Sequence, residues 1–141
     1  MKIKKKPSKR RANKVAPSRK YVNKIFDWCV KNYGKSKYRK NFPEIMFRKS
    51  SYMNEDPMVM AFYDEEDAVI FINKDDHKSL YQLAGSIIHE YTHYKQNNHH
   101  YQILSKYISY KNHPMEIEAN NIAKRDTRRC IKEILQDKST K

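Results

Sequence analysis

Two histidines with a glutamate beside the first, in Ile87-Ile88-His89-Glu90-Tyr91-Thr92-His93, constrain this chain more than any other stretch. On an α-helix, residues i and i+4 stand one above the other, so the imidazoles of His89 and His93 converge from one face. Imidazoles so placed can hold a divalent metal, zinc above all, and Glu90 can take a proton from a bound water. Leu80, Leu83, Ala84, Ile87, Tyr91 and Tyr94 recur at helical spacing around them, which predicts a core stripe on the side away from the histidines. Such a helix needs cover on two sides: a sheet on the apolar stripe, and metal with a further element on the histidine face. Gly85 costs about 1 kcal/mol in a helix interior relative to Ala, so its presence predicts a close neighbour one turn before His89.

The far end of the chain offers a third ligand. Pro114, a residue favoured at the first helical position, opens a helix expected to run to about Gln136. Glu116, Ala119/Asn120, Ala123, Thr127, Cys130 and Ile134 form one stripe of it, headed by a carboxylate that is costly to bury without compensation. A metal would compensate it. Asn120 faces the same way and can hydrogen-bond a metal-bound imidazole from outside, whereas Glu118 points elsewhere.

The remaining elements follow from periodicity. Tyr21–Tyr33 reads as an amphipathic helix stopped at Gly34. Glu44–Ser50 and Asp56–Tyr63 read as strands, Asp64–Asp67 as a tight turn, and Ala68–Ile72 as a third strand, apolar on both faces and therefore central. Asn73–Asp76 offers capping side chains for the metal helix, which is expected to end near Gln96, before Asn97–His100. Tyr101–Tyr110 predicts a further short helix. The whole is one α+β domain over residues 21–141, with an N-terminal helix, a small, mostly antiparallel sheet, and the two ligand-bearing helices. At 141 residues there is material for one core only.

Charge is concentrated at the start. The chain has 30 basic and 16 acidic residues, for a net charge of +14, and residues 1–20 hold ten of the basic ones and no acidic one. Such an arm is expected to be disordered in isolation and to bind a polyanion, such as nucleic acid, or an acidic protein surface. Cys29 and Cys130 suit reduced thiols in a cytosol-like compartment. With no apolar leader region and no run of the ~18 residues needed to cross a bilayer, a cytoplasmic protein without a membrane partner is expected.

His89-Glu90-x-x-His93 followed by Glu116-Ile117-Glu118-Ala119-Asn120 resembles the gluzincin arrangement of zinc metallopeptidases, in the form shared by ImmA/IrrE-type peptidases. His113-Pro114-Met115-Glu116 is similar to small metallopeptidases encoded by tailed phages. The resemblance covers about residues 44–136. It implies a minimal zincin-like core, Zn2+ on His89, His93 and Glu116, Glu90 as base, and a cleft strand that aligns a protein or peptide substrate. For a phage-encoded member it also implies association with the virion. Asn120 departs from the Asp common in that position. The residue that steadies the oxyanion is left open among Tyr107, Tyr110 and His113. His99 corresponds to the third ligand of the metzincin pattern and is the alternative that this resemblance implies, with Gln96 in place of the pattern's glycine and Asn97 or Asn98 left to supply the left-handed turn; SprT-like proteases, which act on DNA-bound proteins, would fit the basic arm. The competing expectation is a non-catalytic, nucleic-acid-associated structural or virion protein that keeps the same scaffold.

Overall fold

The computed structural model describes residues 15–49 and 60–136. Helix α1 (Arg19–Tyr33) is followed by strands β1 (Glu44–Arg48), β2 (Ala61–Asp64) and β3 (Val69–Asn73). Then come α2 (Leu80–Lys95), α3 (Asn98–Ser105) and α4 (Pro114–Gln136), with short 3-10 turns at Lys74–Asp76 and Tyr110–Asn112. The fold is α+β. Residues 1–14 of the basic arm and 56–59 of the expected second strand lie outside the described residues. Val15 packs against the core and Arg19 opens α1, its guanidinium donating to Ile45 O at 3.1 Å. The folded unit therefore begins before residue 21.

The sheet order is β1-β3-β2. β2 and β3 form an antiparallel hairpin, while β1 and β3 run parallel, so the sheet is mixed rather than mostly antiparallel. The cause is the route of the chain, which leaves β1, reaches the far edge as β2, and returns through the hairpin to fill the middle. Asp64 Oδ1 accepts the N–H groups of Glu66 and Asp67 at 3.0 and 3.3 Å, closing the turn. Ala68 takes a left-handed φ of 56° at the end of the turn, and its carbonyl accepts from Glu44 N at 3.0 Å. Ile45, Phe47, Ile70 and Ile72 form the face buried against the helices. Fully burying each such side chain is worth about 1.5–3 kcal/mol.

Helix α2 is the centre of the molecule. Its expected stripe, Leu80, Leu83, Ala84, Ile87, Tyr91 and Tyr94, is buried throughout. The sheet and α1 share the covering of that stripe: Tyr94 meets Tyr63 edge to face, while Tyr91 meets Phe26 and donates to Gly34 O at 2.7 Å. Gly34 ends α1 at a φ of 76°, as its position predicts. The cap of α2 is Ser79, whose hydroxyl accepts from Gln82 N; Asn73 instead caps the 3-10 turn that precedes it. α4 lies across the other side of α2. A methyl group on Gly85 would meet Thr127 Oγ1 at 3.7 Å, an ordinary contact, so the helices approach there without excluding alanine. Among the described residues no helix is long and apolar enough to cross a membrane.

Candidate metal centre

His89 and His93 leave α2 from the face opposite its core stripe and meet Glu116 from the first turn of α4. His89 Nε2 lies 3.1 Å from Glu116 Oε1, His93 Nε2 lies 3.1 Å from Glu116 Oε2, and the two Nε2 atoms lie 3.1 Å apart. Two ligands bound at 2.0–2.1 Å to one tetrahedral zinc stand about 3.3 Å apart, so the triangle has the dimensions of a metal-binding face. Its chemistry agrees. Two imidazole lone pairs and a carboxylate at this spacing repel one another unless a cation or a shared proton lies between them. The donor set therefore fits zinc or a similar divalent ion.

The orientation of His93 is set by Gln96. The Gln96 Nε2 group donates to Met115 O at 2.9 Å and to Glu118 Oε1 at 2.7 Å, which leaves Oε1 to face His93 Nδ1 at 2.7 Å. That oxygen can only accept, so Nδ1 carries a proton, and with a cation in the triangle Nε2 would offer its lone pair to it. Asn120 lines the cleft but, among the described residues, makes no hydrogen bond to either imidazole; the supporting role expected of it belongs to Gln96. Gln96 could have been noticed as the i+3 neighbour of His93 at the helix end.

On the other side, the Tyr101 hydroxyl donates to Glu116 Oε2, and the Tyr101 ring meets His93 edge to face. Burial opposes ionisation of Glu116, but hydrogen bonds from His89, His93 and Tyr101 hold its carboxyl well below the usual range. Tyr101 had no signal in the spacing of the chain, because the sharp break at Gln96 decides where α3 points.

Glu90 is buried beside the triangle, and its ligand atom and those of His89 and His93 all lie within 4.8 Å of one another. Burial raises its pKa; His89 and His93 pull it down, and a backbone hydrogen bond from Tyr63 also favours the charged form. Tyr63 belongs to the edge strand. Asn73 N donates to Met60 O at 2.8 Å, so the alternation of an antiparallel pair turns Phe62 and Asp64 toward β3 and the backbone of Ala61 and Tyr63 toward the cleft. The cleft, of about 1060 Å³, runs from β2 across the triangle to the groove between α2 and α4.

The other expected residues separate clearly. Tyr110 lines the cleft; burial first and then the Glu116 carboxylate push its pKa up to about 12. Tyr107 is 82% exposed and does not line the cleft. His113 is buried away from it: Nδ1 accepts from Met115 N at 3.1 Å, so Nε2 donates to Tyr101 O at 3.0 Å, and the ring staples α3 to α4. His99 is exposed on α3 and borders a separate cavity with Tyr38 and Arg39. Although α2 does break at Gln96, Asn97 caps a new helix there through His100 N, and that helix carries His99 away from His89 and His93. Comparison with protein-family models, curated proteins and solved structures found no match for the chain.

Proposed function

We propose that this chain is a zinc-dependent peptide hydrolase of gluzincin type, with His89, His93 and Glu116 as ligands and Glu90 as general base. The 3.1 Å triangle of three acceptor groups in an open cleft carries this reading. Zinc, when bound, supplies Lewis-acid activation of a water and of the scissile carbonyl. Glu90 removes a proton from the attacking water as the water oxygen bonds to the carbonyl carbon. The same proton passes to the amide nitrogen as the C–N bond breaks. The raised pKa of buried Glu90 suits a group that accepts a proton and gives it up again. Tyr63 N–H keeps that carboxylate in place. Among the described residues the backbone groups of Ala61 turned from β3 have no partner, and they can pair with an extended peptide added to the edge of the sheet. The Tyr101 hydroxyl is committed to Glu116 and the Tyr63 ring packs on Tyr94 with its hydroxyl buried, so Tyr110 is the cleft tyrosine best placed to donate to the oxyanion.

Elemental analysis of purified protein tests the ligand set. About one zinc per chain is expected in the wild type, with loss in His89→Ala and Glu116→Ala and retention in His99→Ala. Glu90→Gln should keep the metal and the fold while peptide hydrolysis falls by about 10²–10⁴-fold. Full zinc occupancy in Glu116→Ala sinks the ligand assignment, and undiminished hydrolysis by Glu90→Gln sinks the catalytic one. A non-catalytic scaffold held to nucleic acid by the basic arm is the reading that would then remain.

A further inference from the structure

The cleft holds one basic side chain that the proposed reaction does not use. Its carboxylates are engaged: Asp64 caps its own turn, Glu65 pairs with Arg39 at 2.8 Å, and Glu90 and Glu116 face the imidazoles. Lys124 is the only lysine or arginine among the described residues that line it, and it has no ion-pair partner among them. Its place follows from the helix. Glu116, Asn120, Ala123 and Thr127 lie along one face of α4 as the wall of the cleft, and Lys124 stands at the rim of that face. Eight residues after Glu116 correspond to about 12 Å along the axis. An extended peptide rises about 3.3 Å per residue, and the lysine side chain can bend back along the wall. For an extended peptide lying along this wall, its ammonium would cover positions about two to four residues from the bond at the metal ligands.

We infer that Lys124 selects peptides bearing a carboxylate two to four residues from the bond to be cut. The inference rests on the peptide-hydrolase reading for the identity of the ligand. Two sources could supply that carboxylate, an Asp or Glu side chain or the free C-terminus of the peptide, and both would meet the same ammonium. The strongly basic chain would attract any acidic peptide, so the test has to separate a local contact from bulk charge. Lys132 provides the control: it is exposed on the same helix and does not line the cleft.

The probes are labelled octapeptides. One series carries a single Glu at successive positions and an amidated C-terminus, a second has Gln in its place, and a third has Gln with a free C-terminus. Anisotropy titrations use zinc-loaded, full-length Glu90→Gln protein, so that the peptides survive. A carboxylate at the favoured position should tighten binding roughly three- to tenfold, between the worth of an exposed ion pair and that of a shielded charged hydrogen bond. Lys124→Gln should remove the preference and Lys132→Gln should keep it. Preference for the Glu series or for the free C-terminus decides the source. Equal affinities, no measurable affinity for any probe, or equal loss in Lys132→Gln overturns the inference. Cleavage of the same peptides by protein with Glu90 intact is scored separately. Preference without cleavage overturns the hydrolase reading and leaves the subsite, and cleavage without preference does the reverse.

Discussion

Gln96 fixes which nitrogen of His93 faces the triangle, and it does so with one amide that also reaches Met115 O and Glu118. Outer partners of this kind typically affect metal affinity by about 10–100-fold. Gln96→Ala should therefore weaken zinc binding by that order in a chelator competition while leaving the stoichiometry near one. Unchanged affinity would show that the packing of α2 against α4 alone holds the ring. At this scale the sequence was most legible where a helix supplies the geometry. His89 and His93 were one turn apart by spacing, and Glu116 stood out as a carboxylate heading a buried stripe. Gln96 was legible only as the i+3 neighbour of His93, and Tyr101 and the Tyr63 N–H not at all, since their roles depend on how the chain turns after α2 and on which edge of the sheet meets it. His113 stood among the oxyanion candidates that the resemblance left open, but both of its ring nitrogens serve the backbone.

Among the elements, the turn between β3 and α2 depends on a neutral histidine. His77 is buried; Nδ1 donates to Asn73 O at 2.7 Å and Nε2 accepts from the Ser86 hydroxyl at 2.8 Å. Burial lowers its pKa, against smaller raising effects from Asn73 and Asp76. The folded state thus takes up a proton less readily than the unfolded chain. The resulting stability is present above the ordinary imidazole value of about 6.5 and is lost as pH falls through it toward the lower folded value. Urea midpoints at pH 7.5 and 5.5 should differ more for the wild type than for His77→Gln. The variant should also be less stable at pH 7.5 by about 1–3 kcal/mol, the cost of a buried partner left unsatisfied. Equal pH dependence would remove His77 as the cause. Helices were the readable elements, since α1, α2 and α4 carry both a buried stripe and an end signal. The sheet was less so. Strand periodicity assigns faces but not partners, so it could not tell that β3 would enter between β1 and β2 and lie parallel to β1. The placement of α3 was hidden for a related reason: Asn97 reads equally well as the end of one helix and the cap of the next.

For the whole molecule, charge is the property that the fold does not absorb. Residues 1–14 carry eight basic side chains and no acidic one, and they come before Val15, which touches the core, and Arg19, which holds Ile45 O. Cutting after residue 14 therefore removes eight basic side chains while keeping Val15 and Arg19, which a cut after residue 20 would not achieve. An arm of this composition should bind nucleic acid by displacing counterions rather than by reading bases. For an arm that neutralises Z phosphates of duplex DNA, log affinity falls against log salt with a slope near −0.9Z. Removing residues 1–14 should weaken binding at ~50 mM salt and flatten that slope, with little dependence on DNA sequence. Hydrolysis of a short peptide should be unchanged, because the residues proposed for the reaction, His89, Glu90, His93, Glu116 and Tyr110, all lie outside the segment removed. The two measurements are independent. DNA affinity that is equal with and without the segment would exclude it as a nucleic-acid contact and leave the +14 charge to an acidic protein partner. A parallel loss of peptide cleavage would mean that the segment reaches the cleft itself.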